Sequence, residues 1–160
     1  MAINDRGARS ADPSGAGSMR LPQVFERGGS SGWVAALIAG AILGGITLIV
    51  PSLLDDNDAF AFLAVLLGFI GGVYFGFAIT DGRQREFWIE MTGVALFLTL
   101  PTVAFAAEEA IVLAAGYVGH AVWDAIHHDK GVHTRIPWWY VPACLGFDVL
   151  LGVYVLLRFG

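Results

Sequence analysis

Long apolar runs dominate the pattern of this chain and predict membrane-spanning helices. From residue 33 onward, apolar residues come in five runs of about 20, separated by short polar connectors. Crossing about 30 Å of hydrocarbon at about 1.5 Å per residue takes about 20 residues, so each run is long enough for one span. The predicted spans are residues 33–54, 59–80, 87–106, 109–128 and 138–159. The predicted fold is therefore an all-α membrane protein with five transmembrane helices, forming one domain over residues 33–160.

The segment before the first run has a different composition. Residues 1–32 are rich in Gly, Ser and Arg and contain no long apolar run. Such a composition cannot bury enough apolar surface to fold alone, so we expect a flexible cytoplasmic tail. We expect no cleaved signal peptide, because the first apolar run is long enough to stay in the bilayer.

The basic residues predict the orientation of the spans. In a five-span arrangement only Arg158 falls on the side of the C-terminus, and the other basic residues fall on the side of the N-terminus. Basic residues favour the cytoplasmic side of a membrane. The N-terminus and the loop at 129–137 are thus predicted to be cytoplasmic, and the C-terminus to lie outside.

Composition agrees with this class and excludes others. The chain of 160 residues is 56% hydrophobic and 14% charged, whereas soluble domains carry about 25% charged residues. The net charge is −5 and the basic residues form no patch, which argues against nucleic-acid binding. Cys144 is the only cysteine, so an intrachain disulfide is excluded. The lipid bilayer is the one partner that the composition itself predicts.

Two sets of glycines recur at a spacing of four and predict close helix packing. Gly40 and Gly44 share a face of the first helix, and Gly68, Gly72 and Gly76 form a stripe along the second. Small residues at this spacing let the backbones of two membrane helices approach. The neighbour could be a helix of the same chain or of another subunit. Pro101 is expected to kink the third helix, since it removes a backbone donor.

Polar residues that could carry chemistry concentrate around the fourth helix. His120, Asp124, His127 and His128 follow the spacing i, i+4, i+7 and i+8 and share one helical face. His120 lies about 12 Å from the cytoplasmic end of its helix, and Asp148 lies about 15 Å from the same end of the next helix. The two side chains should therefore meet. An ionisable group at that depth costs about 3 kcal/mol and usually has a partner and a function.

Together with Glu90 from the third helix, these residues predict a polar pocket that opens to the cytoplasm. Imidazole and carboxylate groups are ligands of zinc and non-haem iron. The candidate metal ligands are His120, His127, His128 and Asp148. Asp124 and Glu90 are the candidate catalytic carboxylates, with Asp124 orienting a ligand or acting as a general base.

Each of these residues also has a plain structural interpretation. His120 and Asp148 could simply be a hydrogen-bonded pair that ties two helices together. His127 and His128 could be solvated, and Glu90 could pair with Arg83 or Arg85. Cys144 could be a small buried apolar residue. The sequence leaves these alternatives open.

Several short motifs resemble a known family. They are Tyr-Phe-Gly-Phe-Ala at 74–78, Asp-Gly-Arg at 81–83, a His-x-x-Trp-Asp-x-x-His-His motif at 120–128, and Ile-Pro-Trp-Trp-Tyr-Val-Pro-Ala-Cys at 136–144 followed by Asp148. This pattern resembles small bacterial membrane proteins catalogued as a domain of unknown function. The resemblance covers residues 33–159 and implies a helical protein of the bacterial inner membrane. It implies no reaction.

Three functions follow as hypotheses. The first is a metal-dependent membrane enzyme that acts on a lipid-like substrate. The second is a non-enzymatic homo-oligomer or accessory subunit of a membrane complex, with the glycine stripe as its contact. The third is a proton or ion pathway through Glu90, His120, Asp124 and Asp148, which is weakened by the lack of ionisable residues in the outer half of the membrane.

Overall fold

Helices make up almost all of the chain that the structure describes. The computed structural model describes residues 29–128 and 131–160, and these form five long helices and one short one, without a strand. They are α1 (Ser30–Thr47), α2 (Ile49–Ser52), α3 (Asp56–Asp81), α4 (Gln84–Ala107), α5 (Ala110–His128) and α6 (Tyr140–Phe159). The predicted all-α class is confirmed, and a long helix lies at each of the five predicted spans. Most of the expected tail lies outside the described residues, and α1 begins within its last positions.

Two prolines of the apolar segments, Pro51 and Pro101, have different effects on their helices. Pro51 has no N–H, and its ring crowds the carbonyl four residues earlier. That carbonyl belongs to Thr47, where α1 ends, and the short α2 follows. Pro101 lies inside α4, which nevertheless continues to Ala107.

The bundle is apolar outside and holds charged groups inside, the reverse of a water-soluble protein. Leu53 and Leu157 are each 82% exposed, whereas Glu90 and Asp148 are 0% exposed. Four segments are long and apolar enough to cross a membrane: Ser30–Ser52, Asp56–Asp81, Gln84–Ala107 and Tyr140–Phe159. These features are those of a membrane protein.

The helix α5 is not among these four segments. It is long enough for a span of about 28 Å, but its histidines and Asp124 make it less apolar than the others. Its buried face carries His120, Asp124 and His127, while Val118 and Val122 are exposed. Whether α5 spans a membrane therefore remains a prediction. The polar residues that lower the hydropathy of α5 are mostly the ones buried inside the bundle.

The first and last helices pack closely through glycines. A Cβ at Gly40 would overlap the backbone of Ala143, and a Cβ at Gly146 would overlap the carbonyl of Leu37. Gly44 lies against Leu150 and Leu151 in the same interface. Only glycine allows two helix backbones to come this close.

The glycine stripe of α3 makes less contact within the chain than its spacing suggests. Gly68 lies in ordinary contact with Leu98, but a Cβ at Gly72 or Gly76 would meet nothing within 4 Å. The tight contact between α3 and α4 is made by Gly71, where a Cβ would overlap that of Phe97. The stripe therefore faces away from the bundle over most of its length.

Candidate functional site

One buried imidazole and two buried carboxylates meet between α5 and α6. His120 Nδ1 lies 2.7 Å from Asp148 Oδ2 and 3.5 Å from Asp124 Oδ2. One potential ligand atom from each of the three side chains lies within 4.8 Å of the others. All three side chains are 0% exposed. We call these residues the His/Asp site.

Local helix geometry explains why these residues meet. His120 and Asp124 are one turn apart on α5 and so point to the same side. Asp148 is one turn before Gly152, where α6 lies against Ala114 and Tyr117 of α5. The small residue keeps the two helices close at that level. The contact between His120 and Asp148 is the one predicted from their similar depths on two consecutive helices.

The polar atoms of the His/Asp site are incompletely paired. His120 Nε2, Asp124 Oδ2 and Asp148 Oδ1 are buried without a hydrogen-bond partner among the described residues, although buried polar atoms are normally paired. The hydrogen bond between His120 Nδ1 and an ionised Asp148 requires a hydrogen on Nδ1, and Nε2 then carries either a lone pair or a second hydrogen. Two carboxylates and one imidazole also hold excess negative charge. A divalent cation such as zinc or iron fits both the unpaired atoms and this charge.

Tyr74 orients one carboxylate of the site from a third helix. Its hydroxyl donates a hydrogen bond to Asp124 Oδ1, and the side chain is 1% exposed. This bond leaves Oδ2 of Asp124 as the oxygen that faces His120. The sequence does not predict this hydrogen bond, because nothing in it fixes the rotation of α3 relative to α5.

Apolar side chains close the site on the side away from the loops. Leu67, Leu113 and Leu151 are each 0% exposed and lie on α3, α5 and α6 in the direction away from the C-terminal end of α5. The ring of Phe97 stands edge-on to His120, with 4.8 Å between ring centroids. Among the described residues, the buried ionisable side chains nearest to the site therefore lie towards the C-terminal end of α5.

A second buried polar group lies at that end. His127 Nε2 is 2.8 Å from Glu90 Oε1, and the hydroxyl of Thr134 donates to the same oxygen. Glu90 is 0% exposed and His127 is 9% exposed. We call Glu90 and His127 the Glu/His pair. Thr134 was not singled out from the sequence, because a threonine in a polar loop gives no signal of burial.

Hydrogen-bond geometry limits the charge of the Glu/His pair. His127 Nδ1 lies 2.8 Å from the carbonyl oxygen of Trp123, which can only accept, so Nδ1 carries a hydrogen. The Nε2 contact then holds one further proton, either on the imidazole or on the carboxyl group. In both cases the pair has no net charge, unlike the His/Asp site. Glu90 Oε2 and Trp123 Nε1 remain without hydrogen-bond partners among the described residues.

The segment 131–139 covers the Glu/His pair. It is fixed by polar contacts at the end of the bundle where α3 and α5 end and α4 and α6 begin, which we call the loop end. Asp81 accepts from the Arg83 guanidinium at 2.6 and 2.8 Å and from the Arg135 backbone N–H at 2.8 Å. Arg83 also donates to the carbonyl of His133. The hydrogen bond with Asp81 raises the pKa of Arg83. The turn at 81–83 and the segment after α5 are thus held together.

The structure divides the predicted site residues into three groups. His120 and Asp148 meet, and they are joined by Asp124 as a third potential ligand. His127 and Glu90 form their own pair one layer nearer to the loops. His128 is exposed and its ring stands edge-on to Trp33, 6.1 Å away between centroids. Cys144 is partly buried and has a free thiol.

The site is closed, whereas the sequence predicted a pocket that opens to water. Each side chain of the His/Asp site lacks solvent-accessible surface. A cavity of about 750 Å³ lies elsewhere, as an apolar groove between α3 and α4. Gly68, Gly72 and Pro101 are among its lining residues, and none of the polar site residues reaches it.

Taken together, four membrane-span-like helices and a buried His/Asp cluster define a helical membrane protein with a possible metal site. The chain belongs to a family of unknown function, DUF6010, whose model matches residues 35–159. The prediction that the chain belongs to a family of unknown function is therefore confirmed. No curated protein and no solved structure gave a significant match.

Proposed function

We propose that the protein binds one divalent transition-metal cation, zinc or iron, through His120, Asp124 and Asp148, and that it is a metal-dependent enzyme of the bacterial inner membrane. The observation that carries this proposal is that one potential ligand atom from each of three fully buried side chains lies within 4.8 Å of the others. Each of these side chains also has one polar atom without a hydrogen-bond partner among the described residues. Burying two carboxylates beside one imidazole is costly unless a cation or protons compensate the charge. A divalent cation compensates it with ligands of the correct type.

Each residue around the cation would have a different role. Nδ1 of His120 faces both carboxylates, at 2.7 Å from Asp148 and 3.5 Å from Asp124, so a cation bound by all three residues would take the place of the Nδ1 hydrogen. Tyr74 holds one oxygen of Asp124 and leaves the other free to bind the cation or to take a proton. A bound cation would supply Lewis acidity at this point. Glu90 is not one of these residues, because it pairs with His127 nearer to the loop end.

The substrate class follows from where the site lies. The His/Asp site sits between helices that are apolar on their outer faces, so a molecule that approaches it laterally comes from the lipid phase. We propose a lipid-like substrate for this reason. The orientation that puts the loop end in the cytoplasm rests on the distribution of basic residues.

The metal content of detergent-purified protein tests the proposal. We expect about one zinc or iron ion per chain, and its loss in His120→Ala and in Asp148→Ala. His128→Ala is the matched control, because it removes an imidazole from the same helix outside the His/Asp site. A folded protein that takes up no metal, even when zinc and iron are offered, would refute the assignment.

One observation favours the alternative of a non-enzymatic subunit or homo-oligomer. Gly72 and Gly76 are open, and Gly72 lines the apolar groove between α3 and α4. In this alternative the groove receives another membrane helix, and the His/Asp site only ties α5 to α6. Native mass measurement of the wild type and of Gly72→Leu tests it. A wild type that is monomeric throughout would exclude self-association through this face.

A further inference from the structure

We propose that the Glu/His pair is a transit site, at which a divalent cation is first bound on its way to the His/Asp site. This inference rests on the proposed metal-binding function. It adds a second cation site, formed by Glu90 and His127, and gives the cation a route from the loop end.

The closed state of the His/Asp site makes a route necessary. Its three side chains have no solvent-accessible surface. On one side the fully buried Leu67, Leu113 and Leu151 separate it from the opposite end of the bundle. A desolvated cation cannot cross such an apolar layer at reasonable cost. The loop end is the side on which described polar groups continue beyond the site.

The Glu/His pair offers ligands of the same type as the final site. Glu90 Oε2 is fully buried and has no hydrogen-bond partner among the described residues, so one carboxylate oxygen is available without breaking a described contact. The imidazole of His127 is already held against Oε1 of the same carboxylate. Because the pair is neutral, an arriving cation can displace the proton that the two groups share, and it is not trapped by excess negative charge.

Tyr74 connects the transit site to the final site. Its ring lies 4.9 Å from the His127 ring and 5.7 Å from the His120 ring, measured between centroids. Its hydroxyl reaches Asp124. Tyr74 therefore contacts side chains of both cation sites and lies beside the route between them.

Thr134 closes the outer side of the transit site. It is buried, and its hydroxyl donates to Glu90 Oε1. The segment that carries it is held to the bundle by polar contacts with Asp81 and Arg83. Loss of the Thr134 hydroxyl would leave the packing of the segment in place and remove its bond to the pair.

The rate of zinc uptake tests the transit site. Metal-free full-length protein in detergent is mixed with zinc alone, and uptake is followed by competition with a zinc-sensitive dye. We expect Glu90→Gln to take up zinc at least about tenfold more slowly than wild type, with the same final stoichiometry. Thr134→Val should take up zinc faster than wild type. Glu86→Gln is the matched control, since Glu86 lies one turn earlier on α4 beside Arg83 and Arg85, and its rate should not change.

The possible outcomes separate this inference from the proposed function. Wild-type uptake rates in both Glu90→Gln and Thr134→Val would overturn the transit site and leave the metal centre intact. A folded Glu90→Gln protein that binds no zinc at all would also overturn it, because Glu90 would then be a ligand of the final site. A folded wild type that binds neither zinc nor, in a parallel measurement, iron would refute both. Should Glu90→Gln fail to fold, His127→Gln is expected to show the same slow uptake.

Discussion

At the scale of single residues, the contact between Tyr74 and Asp124 decides how the His/Asp site is arranged. The hydroxyl occupies one carboxylate oxygen, and the other is left facing His120. A group that holds a metal ligand in place typically contributes a factor of about 10–100 to metal affinity. Tyr74 is therefore expected to act on the site without being one of the three proposed ligands.

We predict that Tyr74→Phe weakens zinc affinity by about tenfold and destabilises the protein by about 1–3 kcal/mol, because a buried carboxylate oxygen loses its donor. Zinc competition and thermal unfolding in detergent measure the two effects. Tyr117→Phe is the control. It removes an equally buried hydroxyl that donates to the Leu63 carbonyl at 2.7 Å, so it should lower stability and leave zinc affinity unchanged. Equal loss of zinc affinity in both variants would contradict the role of Tyr74.

Sequence reasoning at this scale succeeded where helix geometry alone was sufficient. His120 and Asp148 lie on consecutive helices at equal depth, and this places them together. The contacts of Tyr74 and Thr134 depend on the rotation of α3 and on the path of the segment after α5, which no periodicity encodes. His127 and His128 are adjacent in sequence, yet one is buried and the other exposed, because neighbouring helical residues point about 100° apart.

At the scale of helices, glycine positions determine which surfaces meet. The sequence identified Gly40 and Gly44 as packing residues, and they lie against α6. It also favoured the stripe at Gly68, Gly72 and Gly76 on spacing alone. The structure shows that Gly71, outside the stripe, makes the tight contact with α4. Spacing predicts a close approach but not the partner.

We predict that Gly40→Ala destabilises the protein by about 1–3 kcal/mol, the usual cost of inserting a methyl group where no space exists. The new Cβ would overlap the backbone of Ala143, which cannot move aside as a flexible side chain can. Gly72→Ala is the matched control with the same chemical change in open space. A thermal unfolding midpoint that falls equally in both variants would contradict the packing described for α1 and α6.

We also predict that Asp81→Asn loosens the segment 131–139 selectively. Asp81 joins Arg83 to the backbone of Arg135, and weakening these exposed charged contacts costs about 1 kcal/mol. Amide hydrogen exchange at residues 131–136 should accelerate about fivefold, while exchange in α1 and α6 stays the same. Uniform acceleration along the chain would instead indicate global destabilisation.

At the scale of the whole molecule, the number of spans determines where the ends of the chain lie. Four helical segments are apolar enough to cross a membrane, and α5 is the fifth long helix. Five spans put the termini on opposite sides of the membrane, and four put them on the same side. The basic residues favour five, since in a five-span arrangement only Arg158 falls on the side of the C-terminus.

We therefore predict that a reporter fused after Gly160 is on the periplasmic side. A C-terminal alkaline phosphatase fusion should be active, and a C-terminal green fluorescent protein fusion should be dark. Fusions at the N-terminus are expected to behave in the opposite way. A fluorescent C-terminal fusion would contradict the five-span arrangement. It would indicate that α5 does not cross the membrane, so that its polar face would not lie within the bilayer.

The pairing of α1 with α6 has a consequence for biosynthesis. Gly40 and Gly44 can be covered only when the segment around Ala143 and Leu150 has left the ribosome, and almost the whole described chain is made in between. Until then the first span stands in the lipid with its small-residue face open to other helices. A ribosome that stalls before α6 would leave a fragment in which the faces of α1 and α5 that pack against α6 are uncovered. We expect membrane quality-control proteases to degrade such a fragment. The packing of α1 can therefore be completed only after α6 has been synthesised.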